Sequence, residues 1–368
     1  MKYCNLASEF DLHVIWLCGF RKDDYPSKNL LKNFTYSILN FKGSRLQPWH
    51  LIVSIKLLLS TIINNKFDLY ISSTSDAWSS KIIFFCAKLF KKKVALRKEV
   101  WYENSSNNIF RMLNNLLTLF IEKYSNAILI PGLKQKEFLD KKHNKRINTL
   151  IFPYLIDESI WNGNNKSKKI YNKVEFIFWG RLVPLKGVDL LIKVSKKLAA
   201  EYNEFSLKIV GGGTNVIYQN DENLDYDSYC HKLAENCNYI KFLGPLNNKE
   251  IIKELNNMSV FVMPNKKYVN GLLVGDGWGN SLVEALCANI PLIASDRVAS
   301  APHCITNNQN GFIIKSEKLE VELYNKMLFF IKNPGLIDSF SLKSKDKVKD
   351  VNNQLIMIES INKIINEK

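Results

Sequence analysis

Hydrophobic and polar positions form two kinds of segment that alternate along almost the whole chain. Short runs of β-branched and aromatic residues, typical of buried strands, are followed by longer stretches with apolar residues at helical spacing. This alternation is typical of an α/β fold with parallel sheets. In the first part of the chain it predicts strands at 12–18, 67–73, 93–98, 126–131 and 148–152, and helices at 48–64, 77–90, 107–124 and 133–141.

A second alternating series begins after residues 161–169, a polar stretch that is typical of a linker. The predicted strands are 174–180, 206–211, 239–243, 259–263, 291–295 and 311–315, and the predicted helices are 187–203, 226–236, 247–256, 280–288 and 317–332. Isoleucines at helical spacing predict a closing helix at 354–367. A chain of 368 residues is long enough for two domains. We therefore predict doubly wound domains at 1–160 and 161–345, followed by a closing helix at 346–368.

The composition is that of a globular protein, with 46% hydrophobic and 23% charged residues, and this excludes a disordered chain. No apolar stretch is long enough for a transmembrane helix, and Glu9 precedes any apolar segment of a signal peptide. We therefore expect a cytosolic protein. Seven cysteines without a C-x-x-C pair make a disulfide scaffold or a zinc site an unfavourable interpretation.

The net charge of +16 is concentrated in the first part of the chain, where residues 1–160 hold 24 basic and 13 acidic side chains. This asymmetry fits a surface that faces anionic lipid or a phosphorylated acceptor, or simply lysine-rich solvated faces. Nucleic acid is disfavoured because the charges are not interleaved with aromatic residues in a known binding pattern. Residues 81–93 predict a core helix followed by solvated lysines, in preference to a membrane contact, and 107–124 predict a core helix.

The strongest local motif is residues 180–187 (GRLVPLKG), which lie between an apolar strand and an apolar helix. Gly180 and Gly187 allow a tight loop whose backbone can approach a ligand closely. Arg181 offers a planar pair of donors and Lys186 a mobile point charge, and together they suit the two phosphates of a diphosphate. The pattern equally fits a strand-to-helix loop with exposed basic residues. It is not a P-loop, because G-x-x-x-x-G-K-[ST] is absent.

A second motif, residues 275–286 (GDGWGNSLVEAL), joins a glycine-rich loop to a helix. Asn280 or Ser281 can cap this helix, whose first N–H groups favour an anion. Glu284, one turn inside the helix, suits a vicinal diol, and Asp276 on the loop could reach a second polyol. The alternative interpretation is a glycine loop followed by a helix with a surface glutamate.

Taken together, these motifs resemble glycosyltransferase family 4 of the GT-B fold. Order and spacing match over about 140 residues, through 180–187, 210–213 (VGGG), 244–246 (GPL), Asp276-x7-Glu284, 291–296 (PLIASD) and 310–312 (NGF). The first part of the chain looks like the acceptor-binding domain of that family by its architecture. The resemblance implies two Rossmann-like domains that face a cleft, with the nucleotide-sugar donor bound by the second.

The resemblance implies that a sugar is transferred, with retention of anomeric configuration, from a nucleotide-sugar donor to a hydroxyl of a carbohydrate or lipid-linked acceptor. It implies no metal and no other cofactor. The resemblance further implies that Arg181 and Lys186 bind the donor diphosphate and that Glu284 holds the ribose. It also implies that Asp276 replaces the first glutamate of the family and contacts the transferred sugar. The implied donor-binding set is Gly180, Gly187, Gly212, Gly277, Trp278, Gly279, Asn280, Ser281, Leu282 and Glu284.

Two departures from the family are expected. We expect the first βα unit of the family to be absent, because residues 11–17 resemble the second strand of the family rather than the first. The frequent active-site histidine of the family has no evident counterpart. Glu99, at a predicted strand end, is a candidate catalytic or acceptor-contacting residue, and the alternative is a surface glutamate.

The resemblance places the protein in surface polysaccharide synthesis, such as that of lipopolysaccharide or capsule, at the inner face of the membrane. The alternative is a non-catalytic nucleotide-sugar-binding subunit or a truncated, inactive one. A metal-dependent GT-A enzyme would use a D-x-D such as 225–227, but this match lies in a polar loop before a helix. A dinucleotide oxidoreductase is disfavoured because residues 211–216 lack the third glycine of G-x-G-x-x-G.

Overall fold

The chain forms two compact units. The first comprises 1–101, 105–155 and 353–368, and the second comprises 102–104 and 156–352. The computed structural model describes residues 10, 13–18, 35–40, 62–63, 67–72, 75, 78–103, 109–161, 173–213 and 225–367.

Parallel strands separated by helices build the first unit. The elements are β1 (His13–Cys18), β2 (Thr35–Asn40), β3 (Leu69–Ser72), α1 (Trp78–Leu89), β4 (Lys93–Arg97), α2 (Ile109–Tyr124), β5 (Ala127–Ile130), α3 (Leu133–Lys142) and β6 (Thr149–Ile151). Strands β3, β4, β5 and β6 form one parallel sheet in that order, and β1 pairs in parallel with β2. All four residues of β5 are buried, as expected for a parallel strand that is covered on both faces.

The second unit has a larger sheet of six parallel strands, in the order β14-β13-β10-β7-β8-β9. Its elements are α4 (Glu158–Trp161), β7 (Val174–Trp179), α5 (Val188–Ala199), β8 (Phe205–Val210), α6 (Tyr226–Leu233), β9 (Ile240–Gly244), α7 (Asn248–Glu254), β10 (Ser259–Met263), β11 (Tyr268–Val269), β12 (Leu272–Leu273), α8 (Asn280–Cys287), β13 (Leu292–Ser295), α9 (Ala301–Cys304), β14 (Gly311–Ile314), α10 (Leu319–Lys332) and α11 (Ile337–Val351). Helix α5 shows why this unit is well packed. Its residues Val188, Leu191, Ile192, Val194 and Leu198 recur at helical spacing and are completely buried against the sheet.

The last helix, α12 (Gln354–Asn366), returns to the first unit. Its residues Met357, Ile361 and Ile364 pack in the same apolar cluster as Ala95 and Leu129. Lys93 Nζ donates to the carbonyl oxygens of Ile364 and Ile365 at 3.1 and 2.6 Å, so a cation stabilises the carboxyl end of this helix. The predicted domain boundaries stay a prediction.

The predicted strands and helices agree with the structure to within a few residues wherever it describes them, and the α/β fold class is confirmed. Strand β2, the β11–β12 hairpin and helices α4, α9 and α11 were not predicted. The prediction that residues 107–124 belong to the core is wrong for the first half of α2, where Ile109, Phe110, Met112, Leu113 and Leu116 are exposed. Farther along the helix, Ile121 is completely buried in the core of the first unit.

Several predictions concern residues that the structure does not describe. They are the predictions for the residues before Phe10, for the helix at 48–64 except residues 62 and 63, and for the linker after Trp161. The predicted absence of a first βα unit also concerns residues outside the described ranges. Within those ranges, every helix is too short or too polar to cross a membrane.

Candidate functional site

The first predicted motif lies at the carboxyl end of β7, whose six residues are all buried. Gly180 N donates to Val210 O at 3.1 Å, and Leu182 N donates to Gly212 O at 3.0 Å, so this loop lies beside the loop that follows β8. The approach is close because Gly211 has a φ of +134°, and a Cβ there would lie 1.9 Å from Gly180 O. Two backbone loops therefore meet at the edge of the sheet where doubly wound folds bind their ligands.

Lys186 ends the second half of this loop, where Pro184–Lys186 forms one turn of 3₁₀ helix. The next residue, Gly187, has a φ of +69°, and a Cβ at this position would lie 2.1 Å from Pro264 O. A larger residue would be disfavoured both by the left-handed backbone and by this contact. The backbone at Gly187 thus fixes where the lysine is placed.

Lys186 and Asp276 form an ion pair between Nζ and Oδ2, with 11% and 18% of their side-chain surfaces exposed. The backbone of Asp276 is also held, because its amide donates to Arg297 O at 2.8 Å. Asn265 Nδ2 lies 3.5 Å from the same carboxylate oxygen. The structure therefore brings together the two sequence motifs, which lie 90 residues apart along the chain.

A second lysine, Lys266, ties this loop to α5. Its Nζ lies 2.6 Å from Oδ2 of Asp189, and the Tyr226 hydroxyl donates to Oδ1 of Asp189 at 2.7 Å. Burial and the neighbouring charge of Asp189 raise the pKa of Tyr226, so that its hydroxyl stays a donor. Lys266 N also donates to Leu185 O at 2.9 Å. This network braces the loop that carries Lys186.

Helix α8 begins at the end of the glycine-rich loop, next to the first motif. Gly279 has a φ of +90°, and a Cβ there would lie 2.5 Å from Cγ1 of Val298. Ser281 Oγ lies 3.8 Å from the position that a Cβ on Gly180 would occupy. The first backbone amides of a helix favour an anion. The Gly180 loop and the N-terminus of α8 thus form one corner that is suited to a phosphate group.

Glu284 lies in the second turn of α8 and is oriented by a tryptophan. Trp179 Nε1 donates to Glu284 Oε2 at 2.9 Å, and the Trp179 ring stacks on Trp161 at a centroid distance of 5.6 Å. Burial raises the pKa of Glu284, while the hydrogen bond from Trp179 acts in the opposite direction. The indole therefore holds this carboxylate in a defined orientation.

The other predicted donor-binding residues of the second unit differ in how far their side chains are exposed. Arg181 and Asn280 are exposed, and Gly212, Gly277 and Ser281 are half-buried. Trp278 and Leu282 are buried, and the Trp278 ring packs on His303 at a centroid distance of 5.3 Å. For these two residues the backbone, rather than the side chain, could contact a ligand. The roles of the whole set stay predictions.

Glu99 belongs to the first unit and lies two residues after the end of β4. Its carboxylate accepts a hydrogen bond from the Tyr154 hydroxyl, and its backbone carbonyl accepts one from Gln135 Nε2 at 2.8 Å. Burial raises the pKa of Glu99, and the charge of Arg97 opposes the shift. A raised pKa suits a proton-transfer group, but the catalytic or acceptor-contacting role of Glu99 stays a prediction.

The D-x-D sequence at 225–227 is accounted for by local contacts. Asp225 caps α6 by accepting from Ser228 N at 2.9 Å, and Asp227 accepts from Gly213 N at 2.9 Å. Between them, Tyr226 is buried. In the described part of the chain, His, Cys, Asp and Glu side chains form no group of three or more that could hold a metal ion.

Sequence reasoning missed three residues that shape this corner, namely Trp179, Lys266 and Arg297. Lys266 follows a buried strand by three positions, and a cation at a strand end could have been a signal. Trp179 ends the fully buried strand β7 and looks like any core aromatic. Arg297 holds the loop through its carbonyl, which accepts from Asp276 N, and through Nε, which donates to Val274 O at 2.7 Å. Both contacts depend on tertiary packing, which the sequence does not reveal.

Residues 159–347, just over half of the chain, match the family model described as Glycosyl transferases group 1. The chain belongs to this family. The matched range contains every residue of the loop and helix corner described above. This match confirms that the protein is a group 1 glycosyltransferase family member of the GT-B superfamily, as the sequence resemblance implies.

Relatives in the family match part of their length. The chain is 26% identical over 195 residues to an uncharacterized glycosyltransferase of Haemophilus influenzae, which is 53% of this chain and 50% of that protein. It is 34% identical over 141 residues to the GDP-mannose-dependent monoacylated alpha-(1-6)-phosphatidylinositol monomannoside mannosyltransferase of Corynebacterium glutamicum, which is 38% of this chain and 33% of that one. The chain thus spans about half the length of these curated relatives, or less.

Solved structures show the same fold. HepE of Anabaena, crystallised in complex with UDP, superposes with a TM-score of 0.72 at 15% sequence identity, over 95% of this chain and 91% of that chain. The fold is therefore of the GT-B type.

Proposed function

We propose that this group 1 family member is a retaining, metal-independent hexosyltransferase. It moves a sugar from a nucleotide-diphosphate sugar to a hydroxyl of a carbohydrate or lipid-linked acceptor. Family membership supports the transfer reaction. The observation that carries the donor site is the Lys186–Asp276 pair at the corner formed by the Gly180 loop and the N-terminus of α8.

The proposed chemistry follows from the charges at this corner. Negative charge grows on the diphosphate as the bond to the sugar breaks, so fixed cations and helix amides stabilise the transition state more than the ground state. Lys186, Arg181 and the first turn of α8 have this role. Glu284 binds the two ribose hydroxyls, and Asp276 exchanges Lys186 for a hydroxyl of the transferred sugar once the diphosphate is bound.

The acceptor belongs to surface polysaccharide synthesis, as in lipopolysaccharide or capsule assembly, and the protein works in the cytoplasm, at the inner face of the membrane. Two observations support this location. The Corynebacterium relative is named for a phosphatidylinositol mannoside acceptor, and residues 1–160 of this chain carry 24 basic against 13 acidic side chains.

The test begins with a thermal-shift screen of the full chain against UDP, GDP, ADP, CMP and dTDP sugars, followed by an assay of donor consumption with and without EDTA. Lys186→Ala and Arg181→Ala should each lower kcat more than tenfold. Lys193→Ala, which removes an exposed lysine from α5, should leave it unchanged. Glu284→Ala should mainly raise the KM for the donor.

Each alternative gives a different result in these assays. A chain that a nucleotide-sugar stabilises, but that consumes no donor, would be a binding subunit. Wild-type turnover in both Lys186→Ala and Arg181→Ala would reject the proposed diphosphate site. A reaction abolished by EDTA and restored by a divalent cation would reject metal independence.

A further inference from the structure

One surface of the first unit is apolar over two neighbouring helices. We name it the α1–α2 face. Its exposed apolar side chains are Phe85, Leu89 and Phe90 from α1 and the turn after it, and Ile109, Phe110, Met112, Leu113, Leu116, Phe120 and Tyr124 from α2. On α2 their exposed fractions lie between 45% and 77%. Single exposed apolar residues are ordinary, but a contiguous group of this size indicates an interaction surface.

The two helices contribute to one continuous surface. The rings of Phe85 on α1 and Phe120 on α2 stack at a centroid distance of 6.1 Å. The Phe120 and Tyr124 rings also contact each other, at a centroid distance of 4.7 Å. Aromatic contacts therefore join the apolar residues of α1 to those of α2.

Helix α2 faces inward through Thr118, Ile121 and Glu122, of which Ile121 belongs to the apolar core of the first unit. Thr118 and Glu122, four residues apart on one side of the helix, are each only 1% exposed. Glu122 is fixed by the Ser75 hydroxyl at 2.6 Å and by His143 Nε2 at 2.9 Å. The helix cannot rotate to bury its leucines without breaking this network. The exposure of the apolar side is thus imposed by the packing of the opposite side.

The charged side chains that α1, α2 and the turn after α1 are seen to expose have one sign. Helix α1 contains no acidic residue, and the single acidic residue of α2, Glu122, is buried. Lys91 and Lys123 are exposed, and Lys88 and Lys92 are half-buried. Lysines around an apolar patch that exposes no carboxylate of its own complement an anionic surface.

We infer that the α1–α2 face binds the surface of an anionic lipid bilayer, with its leucine and aromatic side chains at headgroup depth and its lysines on the headgroups. The inference rests on the membrane location given above and names the surface responsible. It concerns residues outside 159–347, the range that the family model matches. A second copy of the chain is a poorer occupant, because a two-fold contact would bring the same lysines together.

The experiment is co-sedimentation of the full chain with vesicles of phosphatidylcholine alone, or with about one-third phosphatidylglycerol added. We expect binding to the anionic vesicles that weakens with salt. Leu113→Gln combined with Leu116→Gln should weaken it at least tenfold. The matched control is Val321→Gln with Leu342→Gln, which are equally exposed on α10 and α11, and it should bind as the wild type does.

Lysine-to-glutamine variants test the electrostatic part of vesicle binding separately from the apolar variants. Lys91→Gln with Lys92→Gln should weaken vesicle binding by roughly fivefold per lysine, and Lys343→Gln with Lys345→Gln on α11 should not. Equal binding to both vesicle types, or binding that neither set of variants changes, would overturn the inference. A dimer in sedimentation velocity that Leu113→Gln with Leu116→Gln dissociates, without vesicle binding, would assign the face to a second copy.

These results can be told apart from failure of the proposed reaction. Vesicle binding is measured without any nucleotide-sugar, and donor consumption is measured without any lipid. Vesicle binding without donor consumption would reject the transfer reaction and keep the α1–α2 face. Donor consumption without vesicle binding would do the reverse.

Discussion

Each of the two units contains a buried lysine–carboxylate contact near the carboxyl ends of its parallel strands, but the two contacts are built differently. In the first unit, the Glu122 side chain is completely buried and has partners on all sides. They are Ser75 Oγ at 2.6 Å, His143 Nε2 at 2.9 Å, Lys98 Nζ at 3.2 Å and Lys142 Nζ at 3.6 Å. Lys98 is itself only 2% exposed. This carboxylate holds together the segments that follow β3, β4 and α3.

In the second unit, the Lys186–Asp276 pair keeps part of both side chains in solvent. It lies between loops whose positions are fixed by backbone contacts at Gly187 and Asp276. Desolvation makes a fully buried charge costly to leave without its partners, whereas a pair that keeps some contact with solvent can exchange one partner for another at lower cost. The comparison indicates that Glu122 has a structural role, whereas Lys186 and Asp276 can each exchange the other for a ligand.

The largest effect expected is the loss of Glu122. Glu122→Ala leaves the ammonium of Lys98 buried without its carboxylate, and should lower the free energy of unfolding by about 3–5 kcal/mol. Urea unfolding of the full chain measures this. Glu137→Ala, an exposed position on α3, is the control and should stay within about 0.5 kcal/mol of the wild type. Equal urea midpoints for the two variants would show that Glu122 has no structural role.

The same network makes stability depend on pH in a defined direction. Burial by itself would raise the pKa of Glu122, but the hydrogen bond with His143 and the charges of Lys98 and Lys142 outweigh it and lower the pKa to about 2. Because the ordinary value is 4.5, the stabilisation is complete above about pH 5 and is lost as the pH falls toward 2.

Between pH 6 and pH 3 the wild type should therefore lose roughly 2 kcal/mol more unfolding free energy than Glu122→Gln does. Thermal unfolding of both proteins across this range is the measurement. Parallel pH profiles would show that the carboxylate is not held ionised in the folded state.

The positions of most elements could be predicted from the sequence because the strands are short apolar runs bounded by polar turns. Helix α11 was missed for a physical reason. Its inward side, through Ile337, Phe340 and Val348, includes Ser344, which is buried and donates to Ile290 O at 2.9 Å. A buried serine interrupts the apolar period, and its partner lies 54 residues away in the sequence.

Hydrophobic periodicity also predicts that a helix exists without showing which side faces inward. Helix α2 was predicted as core because it carries less charge than residues 81–93, yet its inward side consists of Thr118, Ile121 and Glu122. In the site, Lys186 and Asp276 could be singled out by residue type and position after strands. Their direct contact, like that of Trp179 with Glu284, depends on tertiary packing over 90 and 105 residues, which one sequence does not reveal.

An intermediate effect is expected at Gly187, where the backbone positions Lys186. Gly187→Ala combines a φ of +69° with a Cβ that would lie 2.1 Å from Pro264 O, so the loop must shift, and stability should fall by about 2 kcal/mol. Gly335→Ala, with open space around the new Cβ, should change it by less than about 0.5 kcal/mol. Equal stability of the two variants would show that backbone contacts do not hold this loop.

The smallest effect is the sharpest test of an exchangeable pair. The carboxylate of Asp276 is paired with Lys186, the cation that we propose for the diphosphate, so binding at the proposed site would include the cost of breaking this pair. Asp276→Asn removes this competition. The nucleoside diphosphate that the thermal screen selects should therefore bind roughly threefold more tightly, which corresponds to about 0.7 kcal/mol.

Donor turnover should fall in the same variant, because a neutral amide accepts a hydrogen bond from a sugar hydroxyl more weakly than a carboxylate does. Calorimetric titration with the nucleoside diphosphate measures the first effect and donor consumption the second. Asp338→Asn, which removes one exposed negative charge from α11, is the control and should change neither. If Asp276→Asn instead weakens nucleotide binding, Asp276 stabilises Lys186 as Glu122 stabilises Lys98, and the two units would use their buried pairs in the same way.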